Sequence, residues 1–260
     1  MPELLEIEFY RQLARRTLGR CIERVDAPDS WYLKGGLTAS HVEAALQGRS
    51  FGLDRRIGKL LLLDVVGGPT LGLRFGMTGR LIVDGAAAID QLAYSSDRDL
   101  SAWDRFSVAF SDGGSMVMRD PRRLGGVELD PDENRLGPDA LSLSESDFSA
   151  IVATGSTPIK GRLLDQAKIA GIGNLLADET LWRAGIDPAR PTSSLSSAER
   201  DRLYAELCAT LPELFSRGGS HTGDLQAMRN RNGRCPIDDS PLQRRTVAGR
   251  TTYSCPSHQL

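Results

Sequence analysis

The chain opens Met1-Pro2-Glu3, an order of residue types that could do chemistry. Pro2 is small enough for ordinary N-terminal processing to remove Met1, which would leave a secondary amine at the new terminus. An α-amino group titrates near ~7.7–8.0, far below lysine, so a useful fraction is neutral and nucleophilic at neutral pH. Such amines form Schiff bases with carbonyl carbons. Glu3, one residue on, can carry protons for the same centre. Taken alone, the string also reads as an ordinary solvated terminus. A second candidate runs from Lys160 to Glu179, where two helical patterns are joined by Gly171-Ile172-Gly173 and Asn174 opens the second. A helix N-terminus offers unpaired N–H groups and the positive end of a dipole, which suits a phosphate. Gly171 and Gly173 allow close backbone approach, and Lys160 could add a second phosphate contact. The same residues are also compatible with a plain helical hairpin capped by Asn174.

These residues need a scaffold, and 260 residues can bury a sizeable core in one domain or two. Hydrophobic content of 40% and charged content of 25% fit a globular protein rather than a disordered one. No apolar run approaches the ~20 residues of a membrane span. The acidic start lacks a basic segment followed by an apolar one, so no signal peptide is expected. A cytoplasmic setting follows as the expectation, at the nucleoid if the source is bacterial, with no membrane partner. The net charge of −2 argues weakly against nucleic acid, but distribution matters more. From Arg229 to Arg250 there are six Arg against two Asp, with no Lys or Glu, so that end is locally basic.

Residues 3–19 predict an amphipathic helix, with Leu5, Phe9 and Leu13 at four-residue steps and Gly19 as its stop. From Cys21 to Leu129 short β-rich runs alternate with Gly and Asp, and Asp112-Gly113-Gly114 signals a hairpin. Residues 130–138 form a Pro/Gly/charge-rich connection, after which 144–217 reads as helices over 144–152, 160–168, 174–184, 196–206 and 207–217. The fold class is therefore α+β: a β-sandwich preceded by a helix, then a helical domain, then a strand-like tail. The expected division is 1–131, 132–225 and 226–260. Cys21 and Cys208 read as small core residues.

At this point the order of motifs resembles the formamidopyrimidine-DNA glycosylase / endonuclease VIII family along nearly the whole chain. Pro2–Glu8 looks like that family's N-terminal active-site motif, and Leu163–Glu179 like its helix–two-turns–helix DNA-binding motif. The resemblance implies that Pro2 attacks C1′ of a damaged nucleotide, that Glu3 assists base loss and sugar opening, and that Glu6 helps hold the sugar. Arg55-Arg56-Ile57-Gly58-Lys59 looks like the family's catalytic-lysine turn, with Lys59 beside the lesion phosphate. Phe75–Leu81 looks like the loop that enters the duplex, which makes Met77 the side chain filling the space of a flipped nucleotide. Asp120–Gly125 looks like the second void-filling loop, in which Arg122 pairs with the orphaned base and Leu124 is the wedge. Arg250 matches the phosphate-binding Arg at the tip of the family's finger. The sequence departs from the pattern at Leu5, where many members have Pro, at Arg74, where many have His, and at Leu124, often Phe.

The tail reads Cys235-Pro-Ile-Asp238 and Cys255-Pro-Ser-His258, two close pairs separated by sixteen residues. Two such pairs bridged by a hairpin have the spacing of a tetrahedral structural zinc site. The family's finger usually has four Cys; here Asp238 and His258 replace the second member of each pair, both acceptable ligands. A metal-free hairpin is the alternative.

Together these residues imply a monomeric base-excision DNA glycosylase with abasic-site lyase activity on damaged double-stranded DNA, carrying one structural zinc and no organic cofactor. Rival readings are a non-catalytic lesion-binding protein on the same scaffold and a helix–two-turns–helix module used for RNA or ribosome binding. Pro2 and Glu3 together argue against both, since binding alone needs neither. Fifteen residues, Ser220 to Arg234, separate Gly219 from Cys235. In the 8-oxoguanine-specific branch that region resembles a longer loop closing over the flipped purine. A short one implies weak 8-oxoguanine activity and a preference for oxidised pyrimidines, ring-opened purines or bulkier adducts. Met77, Arg122 and Leu124 point the other way, towards the formamidopyrimidine branch.

Overall fold

A computed structural model of the chain describes residues 2–89 and 100–260; Met1, whose removal the sequence leads one to expect, lies outside the described residues. The chain divides into two compact units, Met1–Glu133 and Asn134–Leu260. The tail expected as a third segment, 226–260, belongs to the second unit.

The first unit is built from α1 (Leu4–Ala14), β1 (Ile22–Asp26), α2 (Ala39–Leu46), β2 (Phe51–Ile57), β3 (Leu60–Val65), β4 (Thr70–Arg74), β5 (Arg80–Val83), β6 (Ala86–Ala87), β7 (Asp104–Phe110), β8 (Ser115–Arg119) and β9 (Gly126–Leu129). Its strands form two antiparallel sheets, in the orders β1-β7-β8-β5-β6 and β2-β3-β4-β9. Alternate residues of β5, β7 and β8 are buried, which is the period-two pattern of a sheet with one face on a core. Leu81, Val83, Phe106, Val108, Phe110, Met116 and Met118 meet Phe51, Leu61, Leu63, Leu71 and Leu73 from the other sheet in one apolar cluster, a β-sandwich core. The expected hairpin joins β7 to β8. The sequence reading did not foresee α2. Cys21 and Cys208 are exposed rather than core residues.

The second unit contains α3 (Glu145–Val152), α4 (Ile159–Leu164), α5 (Asn174–Arg183), α6 (Ser197–Ser216), and the hairpin β10 (Gln243–Val247) with β11 (Arg250–Ser254). The helix expected over 160–168 stops at Leu164, because Asp165 turns the chain and caps the next turn through the Ala167 N–H at 3.0 Å. The two helices expected over 196–217 are one, started by a capping box between Ser196 and Glu199. The hairpin packs on α5 through a cluster of Trp182, Leu225, Cys235 and Cys255. Among the described residues no helix is long and apolar enough to cross a membrane.

What fixes α1 matters most for the site. Leu4, Leu5, Ile7, Tyr10 and Ala14 are buried, so one stripe of the helix is held by the core. Its polar side is clamped by charge. The Arg11 guanidinium bridges Glu8 at 2.5 Å and the nearly buried Asp54 of β2 at 2.6 Å, and Arg56 reaches Glu8 at 3.3 Å. Burial pushes the Glu8 carboxyl up, but the hydrogen bond and charge of Arg11, with Arg56 behind it, hold it net below the ordinary glutamate value. A depressed folded-state pKa stabilises the fold above the unfolded-state value of about 4.3 and loses that contribution as pH falls through the lowered value. Glu8→Gln should therefore lower the thermal midpoint at neutral pH, and the gap from the unaltered protein should close as the buffer is taken down through the carboxylate range. A gap independent of pH would show that the clamp is not ionic.

Candidate functional site

The chain start is held inside the first unit. Pro2 is buried, and Glu3 is fully buried as the residue that begins α1. Glu6, 2% exposed, turns its carboxylate back to accept from the Glu3 N–H at 2.7 Å, one half of a capping box. Glu3 and Glu6 thus close the first turn on itself and fix where Pro2 projects. This link was legible as Glu-x-x-Glu ahead of an apolar run.

Lys59 sits in a two-residue hairpin between β2 and β3, with Ile57 opposite Leu60. Gly58, at φ 55°, supplies the positive φ that a tight turn of the type II′ kind requires in its first position. Arg56 donates to the Gly58 carbonyl at 2.9 Å while its other face meets Glu8. The same glutamate that clamps α1 therefore steadies the Lys59 turn.

The Met77 loop rests on α1 as well. The Tyr10 ring stacks on Phe75 at 4.5 Å, and its hydroxyl donates to the Gly79 carbonyl at 3.4 Å. Burial, and next the neighbouring Glu6 carboxylate, push the Tyr10 hydroxyl well above its ordinary range, so it remains a donor. Met77 is half-buried at the turn. In the second loop Arg122 and Leu124 are exposed, Leu124 by 49%. The adjacent Arg123 is held instead: the Asp29 carboxylate takes both its Nε and Nη2 at 2.6 Å. Of two neighbouring arginines, one is an anchor and the other is presented.

In the second unit Asn174 opens α5 and donates through Nδ2 to the Thr251 carbonyl at 3.1 Å. The β10–β11 turn is Ala248-Gly249, so Arg250 stands exposed at the head of β11, beside the start of α5. Lys160 is placed differently from the expectation of a phosphate contact. Its side chain is fully buried, with Nζ 2.7 Å from Asp178 and donating to Thr252 Oγ1 at 2.7 Å. Asp178, 1% exposed, also pairs with Arg229. A buried ammonium needs such a partner. Glu179 next to it accepts from the Asp224 and Leu225 N–H groups, both at 3.0 Å.

Cys235, Asp238, Cys255 and His258 converge, with all four ligand atoms within 4.8 Å of one another. Cys235 Sγ lies 3.4 Å from His258 Nδ1, Cys255 Sγ 3.2 Å from Asp238 Oδ2, and His258 Nδ1 3.6 Å from the same Asp238 oxygen. Tetrahedral zinc with bonds of ~2.0–2.3 Å sets ligands ~3.3–3.8 Å apart, so the spacing fits. The surroundings also fit. His258 Nε2 lies 3.0 Å from the Trp182 carbonyl, which can only accept, so the proton belongs on Nε2 and the Nδ1 lone pair faces the other three ligands. Trp182 Nε1 and the Ile237 N–H donate to Cys235 Sγ at 3.3 and 3.4 Å, and the Ser257 N–H donates to Cys255 Sγ at 3.4 Å. These four residues could hold one metal ion.

Comparison with known proteins gives the same outline. The family model of the formamidopyrimidine-DNA glycosylase N-terminal domain matches residues 1–127, and that of the formamidopyrimidine-DNA glycosylase H2TH domain matches residues 136–225. The formamidopyrimidine-DNA glycosylase of Solibacter usitatus is 30% identical over 277 residues, covering 100% of this chain and 99% of that protein. The enzyme of that name from Thermus thermophilus is 33% identical over 288 residues, covering 100% and 98%. In fold, the chain is similar to Lactococcus lactis Fpg solved with abasic-site DNA, at a TM-score of 0.84 and 24% identity over 99% of both chains.

The Lys160 ion pair makes its own prediction. Lys160→Met keeps most of the volume and removes the charge opposite Asp178. It should destabilise the second unit by roughly 3 kcal/mol, as breaking a buried pair does, read by urea unfolding. A loss of DNA affinity with unchanged stability would instead make Lys160 a DNA contact.

Proposed function

The chain belongs to the formamidopyrimidine-DNA glycosylase family, and from that footing we propose that it is a base-excision DNA glycosylase that also nicks the strand, acting through Pro2. With Met1 removed, the Pro2 nitrogen lone pair attacks C1′ of a damaged nucleotide as the bond from C1′ to the base breaks. The proton that the Pro2 nitrogen sheds on bonding to C1′ is carried to the departing base, and Glu3 protonates the sugar ring oxygen as the ring opens. The resulting iminium at C1′ makes the C2′ proton acidic; its removal gives an enamine that expels the 3′-phosphate, and attack of water on the conjugated iminium that remains frees the Pro2 amine. Glu6 holds the sugar end of this arrangement, and Lys59 neutralises the phosphate beside the lesion. Met77, Arg122 and Leu124 occupy the space behind the flipped nucleotide. The observation that carries this reading is the buried start of α1. Pro2 is buried beside the fully buried Glu3, where an ordinary terminus would be frayed and solvated.

Asn174 and Arg250 are proposed to grip the DNA backbone. Asn174 is the first residue of α5, where N–H groups and the helix dipole favour a phosphate, and Arg250 precedes Thr251, whose carbonyl accepts from Asn174. Zinc, held by Cys235, Asp238, Cys255 and His258, would tie the ends of the hairpin that presents Arg250. Lys160 is left out of this grip, because a phosphate would have to enter the interior to reach it.

The lesion preference follows from the segment after α6. It is a short strap of two 3-10 turns, Ser220–Thr222 and Gln226–Met228. Glu179 holds it at Asp224 and Leu225, and Arg217 holds it at the Thr222 carbonyl and at Asp224, 2.8 Å away. A strap fixed at so many points has little chain left to wrap a purine. Reading one added oxygen requires enclosing polar contacts. Oxidised pyrimidines, ring-opened purines or bulky adducts are the proposed substrates, and 8-oxoguanine a poor one.

Three outcomes test these assignments. Borohydride should trap the protein on an abasic-site duplex; Pro2→Gly should lose most of that trapping, while Glu3→Gln loses base release. Full trapping by a protein that retains Met1 would refute the role of Pro2. Purified protein should contain about one zinc per chain, and Cys255→Ser should release it and weaken duplex binding; metal-free protein with full affinity would contradict the zinc assignment. Single-turnover excision should be faster on 5-hydroxyuracil or thymine glycol than on 8-oxoguanine opposite C, and the reverse order would end the strap argument.

A further inference from the structure

One buried carboxylate stands where the two void-filling loops meet. Asp120 is 0% exposed. Its Oδ1 accepts from Thr78 Oγ1 at 2.6 Å and from the Arg122 N–H at 3.2 Å, and its Oδ2 accepts from the Gly125 N–H at 2.8 Å. Its carbonyl accepts from Arg105 Nε at 2.9 Å. The bond to Arg122 alone would be ordinary turn chemistry for an Asp-Pro sequence. The bond to Thr78 is not, since it crosses to the neighbour of Met77 in the other loop. The loops also touch through their backbones: a Cβ on Gly76 would lie 2.4 Å from the Leu124 carbonyl carbon and 2.6 Å from the Gly125 nitrogen.

We propose that Asp120 is a positioning residue that makes the Met77 loop and the Arg122–Leu124 loop a single rigid wedge. This rests on the glycosylase reading above. Extruding a nucleotide costs a few kcal/mol of stacking and pairing and leaves both a void and an orphaned base. Two independent loops would each lose their own conformational freedom on insertion. A shared buried carboxylate settles that ordering in the free protein. Burying a carboxylate is itself unfavourable unless its oxygens are satisfied, and here donors from both loops satisfy them. Two of these donors, the Arg122 and Gly125 N–H groups, come from its own loop, and the third and shortest bond, from Thr78 Oγ1, joins the other loop to it.

The test separates duplex opening from covalent chemistry. A single-stranded abasic oligonucleotide needs no wedge; a duplex does. Thr78→Val removes only the bond between the loops, and Asp120→Asn keeps the shape while removing the charge. In both variants, excision from duplex and the fluorescence rise of 2-aminopurine opposite an abasic site should fall by on the order of 10–100-fold, the worth of charge-assisted hydrogen bonds. Trapping on the single strand should stay within about twofold, because the covalent step is untouched. The double variant should be no worse than Asp120→Asn. Equal losses on single strand and duplex, or duplex excision unaffected by Thr78→Val, would overturn the proposal. Failure of the unaltered protein to trap would defeat the Schiff-base reading alone, and the 2-aminopurine signal, which requires only binding, would still decide the coupling.

Discussion

A reaction that uses the chain's own first amine requires that a terminus behave like an interior residue. Termini ordinarily fray, since nothing on one side restrains them. Here the restraint comes from the rest of α1. The helix buries Leu4, Leu5 and Ile7 behind Pro2, and the Glu3–Glu6 cap closes its first turn. The Glu8–Arg11–Asp54 clamp then ties it to β2. Remove the clamp and the helix can rotate or lift about its own apolar stripe; remove the stripe and the clamp has nothing to orient.

The remaining parts of the first unit hang from the same helix. Arg56 joins Glu8 to the Lys59 turn, and Tyr10 supports the Met77 loop through Phe75 and Gly79. The second unit uses the same device with buried acids. Asp178 gathers Lys160 and Arg229, and Glu179 holds the strap after α6. Enclosed carboxylates are poor sources of net stability, but they are exacting about geometry, because each unsatisfied oxygen is costly.

Much of this was legible in the sequence. The α+β class, the hairpin at Asp112–Gly114, the helix opening at Asn174 and the pairing of Cys235–Asp238 with Cys255–His258 all follow from spacing and turn chemistry. What escaped were tertiary partnerships. Nothing local says that Lys160 faces Asp178 rather than solvent, since a lysine on a helix is more often exposed. Asp120 reads as a turn residue, and only the register of β5 against β8 brings it to Thr78. Cys21 and Cys208 read as core by type alone, and type is a weak guide for a residue whose neighbours decide its burial.

The central claim is that the terminal amine of Pro2 is the covalent centre. It is tested most directly by reducing the complex with an abasic-site oligonucleotide and locating the adduct by peptide mass spectrometry. The account predicts a single modified peptide beginning at Pro2, with Met1 absent and the sugar remnant on the Pro2 nitrogen. An adduct on Lys59 or any other lysine, with an unmodified Pro2 amine, would contradict it.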